Sequence, residues 1–314
     1  MKNNKNARKE IFAALLFVFL FHLLSACGTA VPQAETDESE SLSSQDSDAN
    51  FEEQIQSIAP PQEPNSQFET TLGYVTEGTE SYRGFVIDNV FHSTSEGDIH
   101  YNVYIPESYD GSRPYSLYFT LPGYEGLYFQ GVAANIQSEE FGFEAQKYND
   151  EMIIVAPQLN DWGETSANQT IALLEYFLEE YHIDPSQVYG SGYSGGGETM
   201  SIVMGKRPEL FTAYLHISSK WDGEYEPIIE EKLPVYFAIG RNDEYYGSEP
   251  TQEAYDTLYT LYEQQGLNKS EIDELLVLDI KEHDYFTDRS ISNEHAGGGL
   301  FAFDEKIMGW LFSQ

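Results

Sequence analysis

Val188-Tyr189-Gly190-Ser191-Gly192-Tyr193-Ser194-Gly195-Gly196-Gly197 is the stretch on which the reading of this chain turns. Its front, Gln187 to Ser191, has the character of a short buried strand, and the residues after Gly195 read as a helix. Gly192-x-Ser194-x-Gly196 therefore falls where a strand stops and a helix begins, which places Ser194 on a tight, strained turn. Side chains in place of the flanking glycines would collide with the strand, the helix or each other. The turn exposes the Ser194 hydroxyl, and it aims the Gly195 N–H and the helix N-terminus at a point where negative charge can develop. A glycine-rich turn can also serve packing or bind phosphate. The phosphate reading lacks the Lys-Ser/Thr of a P-loop and lacks a dinucleotide fingerprint.

A serine hydroxyl is a weak nucleophile unless a base removes its proton, so a histidine and a carboxylate are sought in the order Ser, acid, His. Val235-Tyr236-Phe237-Ala238-Ile239-Gly240 reads as a strand that runs into Arg241-Asn242-Asp243-Glu244. Asp243 is the expected acid and Glu244 its competitor; either would otherwise be a solvated turn residue. Of the histidines beyond the N-terminal segment, His92, His100 and His182 precede Ser194, and His216 lies inside an expected strand. His295 is the expected base, in a glycine-rich loop before the final helix, with His283 as the alternative.

Outward from this centre, short apolar runs alternate with helical patterns. Strands are expected at Tyr82 to Phe91, Ile99 to Ile105, Ser116 to Leu121, Met152 to Pro157, Gln187 to Ser191, Thr212 to Ser218, Val235 to Ile239 and Leu275 to Ile280. Helices are expected where Ile171, Leu174, Leu178 and Tyr181 share a face, after Gly195, and from Asp304 to Phe312. Such alternation predicts an α/β fold: a mostly parallel central sheet of about eight strands with helices on both faces, its first two strands antiparallel at one edge.

The chain has 314 residues, 16 Lys+Arg against 53 Asp+Glu, and a formal net charge of -37. That excess repels polyphosphates, so no nucleic-acid partner is expected. One cysteine, Cys27, excludes an intrachain disulfide and any multi-cysteine metal site. Lys2, Lys5, Arg8 and Lys9 precede an apolar run from Ile11 to Leu24 that ends in Leu24-Ser25-Ala26-Cys27. This resembles the lipobox of bacterial lipoproteins. The resemblance implies a signal peptide over 1–26, a lipid on Cys27 and a membrane-anchored, extracytoplasmic location, with an ordinary secretory signal or an uncleaved anchor as the alternative. Residues 27–67 are acidic, serine-rich and poor in large apolar groups, so a disordered tether is expected there, followed by a catalytic domain over 68–314.

The elbow around Ser194, Asp243 after a late strand, His295 before the last helix and the Tyr101-Asn102-Val103-Tyr104-Ile105-Pro106 start together resemble the α/β-hydrolase superfamily. Within it they are similar to the secreted esterase and prolyl-oligopeptidase-like branch, with its feruloyl esterases and polyhydroxybutyrate depolymerases. The resemblance implies a serine hydrolase of carboxylic esters, with no cofactor or metal. It also implies that the Tyr124 N–H joins that of Gly195 in binding the oxyanion, although Leu121-Pro122-Gly123-Tyr124 stands where members carry His-Gly. Trp162 and Trp221 follow strand ends where ligands lie in such sheets. With Tyr124 and Tyr193 they would form an aromatic site for a sugar ring or phenolic acyl group. Packing is the alternative for both tryptophans, and Glu198, four residues after Ser194, is expected on an exposed helix face, with the cleft as the alternative. Two rival functions stand beside the esterase: a peptidase using the same residues, and a surface-binding lipoprotein without turnover.

Overall fold

The computed structural model describes residues 71–314; the expected signal peptide, Cys27 and the tether lie outside the described residues. The chain enters the sheet through short edge strands, β1 (Gly73–Thr76) and β2 (Glu80–Tyr82), followed by β3 (Phe85–Ser93) and β4 (Gly97–Tyr104). Where one strand over Tyr82 to Phe91 was expected, Arg83 and Gly84 both adopt positive φ, at 49° and 95°. Two consecutive left-handed residues make a tight hairpin turn, so the run divides into β2 and β3, which pair antiparallel.

The remaining elements alternate. They are β5 (Tyr115–Leu121), the short helices α1 (Ala134–Ser138) and α2 (Phe141–Ala145), β6 (Met152–Pro157), α3 (Glu164–Glu180), β7 (Ile183–Tyr193) and α4 (Gly195–Lys206). They continue with β8 (Ala213–Ile217), α5 (Glu226–Glu231), β9 (Val235–Gly240), α6 (Glu249–Gln264), α7 (Lys269–Leu275), β10 (Leu276–Lys281), α8 (His283–Thr287) and α9 (Glu305–Leu311). Among the described residues the strands form one sheet in the order β1-β3-β4-β6-β5-β7-β8-β9-β10, with β2 on β3. From β6 to β10 neighbouring strands run parallel, and β4 joins β6 antiparallel.

Every residue of β5, β6 and β9 is buried, as expected of strands covered on both faces. One face packs against Leu173, Leu174 and Phe177 of α3, Met200, Val203 and Met204 of α4, and Leu258 and Tyr262 of α6. The other packs against Phe141 and Phe143 of α2 and Ile307, Met308 and Leu311 of α9. On α3 the buried stripe is Ala167, Thr170, Leu173, Leu174 and Phe177. It is thus rotated from the expected one: Ile171 and Leu178 sit at its margin and Tyr181 caps the helix end. Among the described residues, no helix is long and apolar enough to cross a membrane.

The strand order reverses at β5. β6 lies on one side of it and β7 on the other, and the crevice at such a switch point opens at the strands' carboxyl ends. Tyr124 follows β5, and Ser194 follows β7.

Candidate active site

Ser194 joins β7 to α4 with φ 53° and ψ -123°, a conformation that costs a non-glycine residue on the order of 1–3 kcal/mol and persists only where its surroundings impose it. Its N–H donates to the Ile217 carbonyl at 2.9 Å, and its own carbonyl accepts from the N–H of Gly197 at 2.8 Å and from Ser219 Oγ at 2.6 Å. The glycines permit close approach. A Cβ on Gly192 would stand 2.4 Å from the Gly196 carbonyl oxygen, and one on Gly195 would stand 2.4 Å from the Trp162 ring. Gly195 opens α4, so its N–H belongs to the first turn, where no intrahelical acceptor exists.

Ser194 Oγ and His295 Nε2 are 2.9 Å apart, and His295 Nδ1 is 2.8 Å from Asp243 Oδ2. The structure thus brings together Ser194, His295 and Asp243 from three separate loops. Asp243 lies just past β9 with its side chain fully buried; its Oδ1 accepts from the N–H groups of Tyr245 at 3.0 Å and Tyr246 at 2.8 Å. A carboxylate so held keeps the Nδ1 proton on its side of the ring and leaves Nε2 to accept from the serine.

The competing candidates have other partners. Glu244 is exposed and accepts the main-chain N–H of His295 at 3.0 Å. The His283 side chain is 62% exposed and pairs through Nδ1 with Glu294 Oε1 at 2.8 Å. Glu294 is buried and also accepts from Asn242, through the main-chain N–H at 2.7 Å and Nδ2 at 3.0 Å. Burial pushes its carboxyl up, but the bonds from Asn242 and His283 outweigh that and hold it below the usual range.

A cleft of about 530 Å³ opens over Ser194, within the size range of small-molecule sites. Tyr124, Trp162, Tyr193, Gly195 and His295 line it. Tyr193 is nine-tenths buried, donates its hydroxyl to the His295 carbonyl at 2.7 Å and stacks on the imidazole, so it supports the histidine as well as the wall. The expectation for Trp221 needs correction. Its ring is buried among His216, Tyr225 and Phe237, its Nε1–H donates to the Gly223 carbonyl at 2.9 Å, and it does not reach the cleft. Ser218, just past β8, has φ 44°, and the chain beyond that kink carries the indole into the core. His216, fully buried beside it, is pushed down to about 3 by burial, in keeping with a neutral core imidazole.

Glu198, Tyr245 and Tyr246 also line the cleft, and sequence reasoning missed the two tyrosines. Glu198 is not on an exposed face: its side chain is 15% exposed and accepts the Tyr246 hydroxyl at 2.6 Å. The cleft alternative, raised by its spacing of four from Ser194, is the one the structure adopts, because such residues share a helix face. The tyrosines follow Asp243 in an irregular loop, where no periodicity fixes a direction.

A model of the prolyl oligopeptidase family matches residues 158–276, a span that contains Ser194 and Asp243 but not His295. Comparison with curated proteins finds no match. Among solved structures, a thermostable esterase is similar at a TM-score of 0.60 and 19% identity, over 74% of this chain and 63% of that one. Est1E from Butyrivibrio proteoclasticus is similar at a TM-score of 0.50 and 11% identity, over 73% of this chain and 98% of that one. At these identities the likeness is one of architecture. With the parallel sheet, the strained serine turn and the switch-point cleft, it shows that the chain has the α/β-hydrolase fold.

Proposed function

We propose that the protein is a serine hydrolase that cleaves carboxylic esters through an acyl-enzyme. The observation that carries this reading is the Ser194–His295–Asp243 relay, at 2.9 and 2.8 Å, on a strained turn that opens into the cleft. Ser194 Oγ attacks the ester carbonyl while His295 Nε2 takes its proton, and Asp243 stabilises the imidazolium. The oxyanion is received by the N–H groups of Gly195 and Tyr124. His295 returns the proton to the leaving alcohol, and water then releases the acyl group. Trp162 and Tyr193 form the aromatic wall for the acyl or sugar part of the substrate. No step calls for a metal or cofactor.

The prolyl oligopeptidase model match supports a second reading, a peptidase with the same nucleophile. A panel of short acyl, feruloyl and peptide substrates separates the two. The esterase reading expects kcat/KM for esters to exceed that for peptides of similar size by on the order of a hundredfold; comparable peptide cleavage would favour the peptidase. The hydrolase is further proposed to be a lipid-anchored, extracytoplasmic protein, held through Cys27 and the acidic segment to about residue 67, with its catalytic domain beyond.

A further inference from the structure

Tyr246 is a polar group of the cleft that the relay does not employ. It lies three residues past Asp243, its main-chain N–H donates to that carboxylate, and its ring meets His295 edge-on at 5.5 Å between centroids. Its hydroxyl donates to Glu198 Oε1 at 2.6 Å. Glu198 stands on α4, the helix that begins at Ser194, and has the Lys220 ammonium 3.7 Å away, itself bonded more closely to Asp222. Burial pushes the Tyr246 phenol up and the bond and charge of Glu198 push it further, while Ser194 acts in the opposite sense. The phenol therefore keeps its proton, and Tyr246 lines the same cleft as Ser194 and His295.

A phenol has one proton to donate. With that proton given to Glu198, the oxygen can only accept from whatever occupies the cleft. Resting on the hydrolase reading above, we propose that Tyr246 is a further catalytic residue, specific to deacylation: its oxygen accepts a hydrogen bond from the hydrolytic water and holds that water against His295 Nε2. Water needs two acceptors there. It gives one proton to His295 as its oxygen attacks the acyl carbon, and it points the other at Tyr246. The bond between the acyl carbon and Ser194 Oγ then breaks, His295 returns its proton to Oγ, and the acid departs with the second proton. During acylation the nucleophile's only proton is already directed at His295, so the phenol has nothing to accept.

The proposal therefore distinguishes the two half-reactions, which a merely structural brace would not. With p-nitrophenyl acetate, kcat/KM reports the steps through acylation, and kcat falls when deacylation slows. Tyr246→Phe keeps the ring and the main-chain bond to Asp243. It is expected to lower kcat and KM together by about tenfold, to leave kcat/KM within about twofold, and to produce a larger nitrophenol burst. Glu198→Gln keeps the side-chain volume but offers an amide that can donate to the phenol, so a smaller change of the same pattern is expected. It carries the test should Tyr246→Phe fail to fold by circular dichroism. A fall of kcat/KM in step with kcat, without a burst, would overturn the inference in favour of a role in positioning the relay, as would constants unchanged from wild type. A wild-type protein that neither turns over the ester nor shows a burst would overturn the hydrolase reading and the inference with it.

Discussion

His295 is engaged at each of its polar atoms. Its N–H donates to Glu244, its carbonyl accepts from Tyr193, Nδ1 meets Asp243 and Nε2 meets Ser194. Tyr193, Tyr245 and Tyr246 surround the ring, so the imidazole has little freedom to turn away from the serine. His283, by contrast, is largely exposed, and neither it nor its partner Glu294 lines the cleft. His295→Ala is thus expected to lower the acylation rate by about three orders of magnitude or more, and His283→Ala by about tenfold or less. Single-turnover acylation on protein checked for folding tests both. Ser194, Asp243 and His295 could be chosen from the sequence because their chemistry demands an order and a position at strand ends. Trp221 and Tyr246 could not be placed in that way. Whether a ring beyond a strand end turns into the core or the cleft depends on loop dihedrals that residue type leaves open.

Just past β9 the chain is tied by a buried carboxylate to the loop that carries the base. Glu294, next to His295, gathers both Asn242 donors and His283, and so fixes the loop of the acid to the loop of the base. Because its carboxyl is held below its ordinary value of 4.5, this stabilisation is present above that value and is lost as pH falls through the lower, folded one. Glu294→Gln should destabilise the protein by about 1–3 kcal/mol at neutral pH, and the difference from wild type should shrink as pH drops below about 4.5. Urea denaturation across that range measures it; a difference independent of pH would show that the ionised carboxylate contributes nothing. Most of the elements were legible because a buried parallel strand must be apolar throughout, as Met152–Pro157 is. The edge strands β1 and β2 were not, because Gly73–Thr76 and Glu80–Tyr82 are short and largely solvent-facing, and pairing rather than hydrophobicity defines them.

Over the whole chain, a formal charge of -37 favours solubility and opposes contact with anionic lipid, so the attachment proposed through Cys27 would draw no help from surface charge. Cys27→Ala is expected to move the protein from the membrane fraction to the soluble fraction or to block its processing; unchanged membrane retention with normal maturation would point to another anchor. The tethered reading and the hydrolase reading are independent, since Cys27 lies far from the cleft in sequence and only the latter rests on the relay. The relay is tested most directly by labelling the full chain with a fluorophosphonate and mapping the adduct by peptide mass spectrometry. One adduct on Ser194, absent in Ser194→Ala and strongly slowed in His295→Ala, is the result this account predicts. Undiminished labelling of Ser194→Ala, or an adduct on another residue, would contradict it.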